Sequence, residues 1–321
     1  MGVSSVDQII TLFEKGDRFM LGCHEHPDGD AIGSVLALGL SLKARGKNLR
    51  MVVPEGVPTV YRYLEGSHLI VDKPEEGFVP AIVVALDCAD RARLSLPDWP
   101  VNATVVNIDH HITNSGFGHV SLVEPHAAAT GEIVADLLAE GGFPFDSTIA
   151  SALYTALATD TGFFRYANTT GKTMRLASDW VDTYGVSPSQ IAEQVHEEKS
   201  FASLKLLAEV LSTLTLEEEG KVSWMLLSYD MLERYQVPLE ETESFVNYAN
   251  SVHGVEVGIL FKELQPNEFK MSFRSGASVD VSKLAAEFGG GGHARAAGCS
   301  LNGTFEECRK KLFEAIHRAL R

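Results

Sequence analysis

Three apolar runs in the first third of the chain stop on the same kinds of residue. Arg18-Phe-Met-Leu-Gly-Cys23 runs into His24-Glu-His-Pro-Asp28-Gly-Asp30, and Ala81-Ile-Val-Val-Ala-Leu86 runs into Asp87-Cys-Ala-Asp90. Ala103-Thr-Val-Val-Asn-Ile108 runs into Asp109-His110-His111. β-Branched runs bounded by polar turns read as strands. Behind the first acid cluster, Ile32, Val35, Leu36, Leu38 and Leu42 recur at helical spacing, with Gly46 as a C-cap. Strand, polar turn and helix open a βαβ unit. The expected fold class is therefore α/β, with a mostly parallel sheet flanked by helices. In such open sheets ligands bind beyond the carboxyl ends of the strands, where these acids and imidazoles fall.

The remaining pattern divides the chain. A further strand is expected over 48–53 and helices over 127–140, 147–159 and 171–184, with a polar interruption around Asp160 between the last two. From 187 to 211 the spacing is helical and fairly polar, which suits a helix joining two domains. Beyond it the rhythm changes. A hairpin over 214–227 precedes helical segments near Met231 and over 244–252. A strand pair about Gln265-Pro-Asn267, a helix over 281–288, a glycine-rich stretch from Gly289 to Gly298 and a final helix follow. At 321 residues the chain exceeds one typical domain. The boundaries fall at 1–190 for the first domain, 191–212 for the linker helix and 213–321 for a smaller α/β domain.

Charge narrows the partners. The net charge is −16, and the densest basic run, Arg309-Lys-Lys311, lies in the terminal helix. A protein that tracks long nucleic acid presents a basic stripe, so a short anionic ligand fits better, with metal ions supplying the positive charge. Cys23, Cys88, Cys299 and Cys308 form no close CxxC pair, which suits small core residues in a reducing cytoplasm. No apolar run reaches the length of a membrane span, and MGVSSVDQIITLFEKGDRF lacks the basic and apolar regions of a signal peptide.

The residues at the polar turns form one set: His24, Asp28, Asp30, Asp87, Asp109, His110, His111 and Asp160. Pro27 and Gly29 bend the chain so that His24, Asp28 and Asp30 can converge as ligands for two ions. Asp87 stands one strand over and can bridge both, with His110 and Asp160 completing the sites. Ions ~3.5–4 Å apart on a shared carboxylate activate a bridging hydroxide for in-line phosphoryl displacement. Taken singly, each acid is a turn residue or a cap, and Asp30 could cap the helix that follows. Turns and caps, however, do not require histidine beside aspartate at three strand ends. His26, His68, His119, His126 and His196 read as ordinary residues with no part in the site, and Asp90 as a surface residue or one that backs a ligand. In the second half, Gly289–Gly298 with His293 and Arg295 can approach an anion closely, and Arg274-Ser275 is a second phosphate contact; a ligand-free glycine turn and an exposed hairpin end are the plain alternatives.

Taken in order, His24-x-x-x-Asp28-x-Asp30, Asp87, Asp109-His110-His111 and Asp160 resemble the four motifs of the DHH phosphoesterase superfamily. Gly290-Gly-Gly-His293-x-x-Ala-Ala-Gly298 resembles the signature of the DHHA1 domain. Length and domain order are similar to the bacterial NrnA-type oligoribonucleases, also described as 3′-phosphoadenosine 5′-phosphate phosphatases. The resemblance implies that His24, Asp28 and Asp87 hold one ion and Asp30, Asp87, His110 and Asp160 the other. Mn²⁺ is the expected metal, with Mg²⁺ or Co²⁺ as alternatives. It further implies that His111 contacts the scissile phosphate or the leaving oxygen and that Asp109 orients a histidine. Arg274, Ser275, Gly291, Gly292 and His293 would bind the nucleotide or its terminal phosphate, with Arg165 and Asn168 nearby.

RecJ-type exonucleases open with Asp where this chain has His24, family II pyrophosphatases lack the GGGH signature, and the membrane-bound cyclic-di-AMP enzymes carry transmembrane segments. The expected activity is Mn-dependent hydrolysis of RNA of two to five nucleotides to mononucleotides, and of 3′-phosphoadenosine 5′-phosphate to AMP, in a cleft that a small domain closes by hinging at the 187–211 helix. Family likeness also implies a homodimer. A soluble phosphodiesterase for cyclic-di-AMP or linear dinucleotides is the alternative. Of two non-catalytic readings, a nucleotide-binding regulator that lost catalysis predicts eroded metal positions, and no expected ligand is missing here. The other, an oligomerisation module with a structural metal, predicts strong Mn²⁺ stabilisation with no phosphodiester hydrolysis.

Overall fold

The computed structural model describes residues 4–197, 200–276 and 279–319. Two compact units divide at 198/199. In the first, β1 (Arg18–Gly22), β2 (Asn48–Val52), β3 (Ile70–Val71), β4 (Ile82–Leu86), β5 (Thr104–Asp109) and β6 (Val120–Val123) form a wholly parallel sheet in the order β3-β2-β1-β4-β5-β6. The order reverses between β1 and β4, so a crevice opens at the carboxyl ends of these two neighbours. β1 and β4 are apolar nearly throughout because both faces of the sheet are covered, one by helices and the other by loop residues that include Phe78, Leu96, Trp99 and Phe117.

The helices of this unit are α1 (Ser5–Lys15), α2 (Gly29–Ala44), α3 (Thr130–Glu140), α4 (Ser147–Asp160), α5 (Gly171–Tyr184) and α6 (Pro188–Ala192). α2 starts where Asp28 Oδ1 accepts the backbone N–H groups of Asp30 and Ala31, a side-chain N-cap. It is buried along most of its length and packs against α4. A Cβ at Gly33 would meet Ala152 O at 2.4 Å, so the two helices approach closely only because Gly33 has none. The core holds Phe19, Leu21, Ile32, Val35, Leu36, Val84, Ile108, Leu153 and Leu157.

In the second unit β7 (Thr215–Glu217), β8 (Val222–Leu227), β9 (Val257–Gln265), β10 (Glu268–Ser275), β11 (Gly291–His293) and β12 (Ala296–Asn302) order as β11-β12-β10-β9-β8-β7, antiparallel except for β8 with β9. α10 (Val281–Ala286) and α11 (Phe305–Ala319) pack on one face against Ile259, Phe261, Met271 and Phe273. On the other face Leu260 and Met225 meet α7 (Phe201–Ser212) and α9 (Val246–Asn250), beside α8 (Tyr229–Tyr235).

Where one helix was expected over 187–211, α6 passes into a π-helical turn at Glu193–Glu197, and α7 starts anew from a Ser200 cap. From Phe201 on, the segment contributes Leu206, Leu207 and Val210 to the second unit's own core. The glycine-rich stretch is partly sheet: Gly291–His293 pairs with Ala296–Gly298. Gly290 lies against β12, where a Cβ would fall 2.1 Å from Gly298 O. Among the described residues no helix is long and apolar enough to cross a membrane.

Candidate metal centre

β1 delivers His24 two residues past its end, β4 delivers Asp87, and β5 delivers Asp109 at its last position with His110 and His111 behind it. Asp30 comes from the first turn of α2 and Asp160 from the last residue of α4. Three adjoining strands and two packed helices thus place every sequence-predicted ligand at one end of the parallel sheet.

Asp87 lies at the middle. Its Oδ2 is 3.4 Å from His24 Nε2, and its Oδ1 is 3.7 Å from His110 Nε2 and 3.6 Å from His111 Nδ1. The residue is 1% exposed and has φ +52°, a left-handed conformation unusual for a residue with a Cβ. This turn swings the carboxylate across the strand end, and such strain persists where the surroundings over-determine it. His110 Nε2 also stands 3.8 Å from Asp30 Oδ2 and 3.6 Å from Asp160 Oδ2. His24 Nε2 is 4.0 Å from Asp28 Oδ1.

Two imidazoles are oriented by backbone. His24 Nδ1 donates to Glu25 O at 2.7 Å and His110 Nδ1 to Ala127 O at 3.2 Å, which turns both Nε2 atoms toward the carboxylates. His111 is oriented by a side chain, Nδ1 donating to Asp109 Oδ1 at 2.7 Å. Asp109 also accepts Asn114 Nδ2 at 2.5 Å, and Asn114 reaches Asn107 Oδ1 at 2.9 Å.

The protonation pattern reflects crowding. Burial, with the nearby charges of Asp87, Asp160 and Asp28, pushes Asp30 well above the usual carboxylate range. Burial is also the largest influence on Asp160, which rises to about 7 against the opposing charge of His110, with Asp28 and Asp87 adding to the rise. For Asp87 burial acts upward, but the hydrogen bond to His24 and the charges of His111, His24 and His110 hold it well below. Burial opposes charge on His24 and His111, yet their carboxylate partners raise both to about 9.

So many carboxylates do not share a buried site cheaply without cations. Three donor groups converge, each with ligand atoms within 4.8 Å of one another: His24, Asp28 and Asp87; Asp30, His110 and Asp160; Asp87, Asp109 and His111. Imidazole and carboxylate in this mixture suit divalent ions such as Mn²⁺, Mg²⁺ or Co²⁺. The residues present fit a metal centre.

Other sequence-predicted residues are placed as follows. Asn168 Nδ2 donates to Ala128 O at 2.9 Å and to Asp160 O at 3.1 Å, so it braces Asp160. Arg165 Nε donates to its own turn at Gly162 O. Of the histidines set aside, His119 Nδ1 accepts the Val105 N–H at 2.8 Å and His26 lies beside Glu55; the side chain of His196 lies outside the described residues. In the second unit the register puts Arg274 and His293 on one row, each opposite Ala296. Gly291, Gly292 and His293 are exposed. Ser275 faces away from that row, its hydroxyl donating to Val279 O at 2.7 Å and approaching Ala294 O at 3.3 Å. Thr130, Asn107 and Asn114 were not anticipated. The one available signal was Asn107, a polar residue inside an otherwise apolar strand.

Comparison with known proteins finds relatives over nearly the whole chain. Residues 18–157 match the DHH family, N-terminal domain, and residues 226–321 the DHHA1 domain. The chain is 34% identical to the bifunctional oligoribonuclease and PAP phosphatase NrnA of Thermus thermophilus, over 94% of this chain and 89% of that one. Identity to the Bacillus subtilis protein of the same name is 28%, covering 92% of each. The crystal structure of an exopolyphosphatase-related protein from Bacteroides fragilis superposes with a TM-score of 0.88 at 26% identity, covering 98% of this chain and 96% of that one.

Proposed function

This chain belongs to the DHH family, with a DHHA1 domain following the first, and from that premise we propose that it hydrolyses short oligoribonucleotides to mononucleotides and 3′-phosphoadenosine 5′-phosphate to AMP. The observation that carries the reading is Asp87, a buried carboxylate whose Oδ2 lies 3.4 Å from His24 Nε2 and whose Oδ1 lies 3.7 Å from His110 Nε2. His24, Asp28 and Asp87 would hold one divalent ion, and Asp30, Asp87, His110 and Asp160 the other, Mn²⁺ being the metal proposed. Such a pair supplies Lewis acidity for the phosphate oxygens and acidifies a water.

The chain's own groups do the rest. His111, with Nδ1 held by Asp109, stands with Nε2 toward the leaving oxygen and gives up its proton there. Arg274 and His293 take the substrate's terminal phosphate or base from one row of the second sheet, beside the exposed backbone of Gly291 and Gly292. Ser275 steadies this edge by tying down the chain at Val279 and Ala294. A net charge of −16 favours short substrates over a long polymer. Four buried, unbridged cysteines fit a cytoplasmic location, and family likeness suggests a homodimer.

The test is chelation followed by reloading. Stripped protein should be inactive on an RNA dinucleotide and on 3′-phosphoadenosine 5′-phosphate, and Mn²⁺ should restore both activities. A full rate in the stripped protein would remove the metal reading.

A further inference from the structure

The segment Ala127–Glu132 touches three proposed ligands, His110, Asp30 and Asp87, although none of its side chains is a proposed ligand. Ala127 O accepts His110 Nδ1 at 3.2 Å, and Ala128 O accepts Asn168 Nδ2, which also holds the backbone of Asp160. The Thr130 and Gly131 N–H groups donate to the two oxygens of Asp30 at 2.6 and 2.9 Å. Thr130 Oγ1 donates to Asp87 Oδ1 at 3.0 Å.

The sequence explains why a helix start is used in this way. Ala129, the N-cap of α3, makes no side-chain cap, so the first N–H groups of the helix need an acceptor from elsewhere. Asp30 supplies it, and a carboxylate at a helix N-terminus is favourably placed in the dipole field. The cap of α3 is thus a proposed metal ligand carried on α2. Gly131 permits the approach: a Cβ there would lie 2.6 Å from the Ala156 Cβ of α4.

Glu132 fixes the turn from behind. It is 3% exposed, and its Oε2 accepts Thr173 Oγ1 at 3.2 Å and the Ala128 N–H at 3.4 Å. Its Oε1 pairs with Lys172 Nζ at 3.0 Å. A buried glutamate three residues into a helix, reaching back to the entering chain, rigidifies the peptide whose carbonyls aim His110 and Asn168.

We propose that Thr130 and Glu132 are positioning residues of this centre: Thr130 orients the shared carboxylate of Asp87, and Glu132 with Lys172 and Thr173 locks the turn that orients His110, Asp30 and Asp160. The proposal rests on the metal reading above. Outer partners of this kind change metal affinity 10–100-fold when removed.

The experiment measures Mn²⁺ binding by direct titration on chelator-treated full chain, alongside metal-free melting and steady-state kinetics. Thr130→Val keeps the shape and removes the hydroxyl; Thr130→Ser restores it; Glu132→Ala removes the brace; Asp136→Asn alters only the exposed partner of Lys172. Expected are a ~10–100-fold loss of Mn²⁺ affinity in Thr130→Val and Glu132→Ala, a lower kcat with KM for a dinucleotide little changed, recovery in Thr130→Ser, and wild-type behaviour in Asp136→Asn. Unchanged Mn²⁺ affinity and kcat in Thr130→Val would overturn the proposal. So would a Glu132→Ala protein that melts earlier but binds Mn²⁺ as the wild type does. A wild-type chain that binds no Mn²⁺ would instead defeat the underlying metal reading, and the proposal with it.

Discussion

Asp109 accepts the Nδ1 hydrogen of His111 at 2.7 Å from a carboxylate that is itself fully buried. The pair fixes which imidazole nitrogen faces away from the strand end, and Asn114 holds the second carboxylate oxygen in place. Asp109→Asn should therefore reverse the hydrogen-bond preference of His111 and lower kcat by about 10²-fold or more, the range of a lost acid–base group. Bound metal measured by elemental analysis should stay at the wild-type level. Loss of metal would reassign Asp109 as a ligand.

Asp87→Asn should abolish turnover while the circular dichroism spectrum is retained. Asn tolerates the left-handed backbone that Asp87 adopts, so the fold keeps its strand end and loses the charge shared between the two donor groups. Asp87→Ala should be equally inactive and less stable, because Ala carries the strain without compensation. Appreciable turnover in either variant would break the account of a shared carboxylate.

Metal uptake should release protons. In the metal-free chain, burial opposes charge on His24 and His111, but their carboxylates raise both to about 9. These groups stabilise the metal-free fold fully below the unfolded value near 6.5, and that contribution fades as pH climbs through about 9. His24, the proposed ligand of the two, must be neutral to bind an ion, so Mn²⁺ affinity should increase as pH climbs through about 9. Titration calorimetry at pH 7 in buffers of different ionisation enthalpy reads the protons directly; a buffer-independent heat would count against this proton balance.

A structural prediction concerns the second unit. Lys262 is 1% exposed and pairs with Glu243 Oε1 at 2.9 Å, with Lys270 at 3.7 Å from the same oxygen. Burial lowers Lys262 and also acts against the charge on Glu243, whose value is nonetheless held down by Lys262 and Lys270. Glu243→Gln leaves a buried ammonium without its acid. It should cost about 2 kcal/mol or more, less than the ~3–5 of a fully enclosed pair because Glu243 is half exposed. The depressed Glu243 contributes above its ordinary value near 4.5 and loses that contribution as pH falls through its folded value, so the variant's deficit should shrink in acid. Lys262→Met should be near neutral or stabilising by chemical denaturation. A destabilisation as large as that of Glu243→Gln would contradict this.

The ligands were legible in the sequence because a parallel strand buried on both faces reads as one continuous apolar run, so its end is sharp and the acid behind it conspicuous. β1, β4 and β5 show this directly. β3 and β6, short strands toward the sheet edge, left no such trace. Thr130 and Glu132 were invisible for a different reason: threonine and glutamate at a helix start are ordinary there, and only the packing of α3 against α2 shows what they hold. The glycines from 289 to 292 concealed a strand, since glycine has low strand propensity and gains its place here from the absence of a Cβ near Gly298 O. Asn107 carried a readable signal, but its partner Asn114 lies beyond the strand and emerges only in three dimensions.

The most direct measurement compares rates on a 5′-labelled RNA dinucleotide, a pentanucleotide, a 24-mer, 3′-phosphoadenosine 5′-phosphate and cyclic-di-AMP, with purified protein in Mn²⁺. Fast cleavage of the two short RNAs and the bisphosphate, with the 24-mer slow, is the predicted result. Preference for cyclic-di-AMP or for the 24-mer, or no hydrolysis of any of the five, would contradict it.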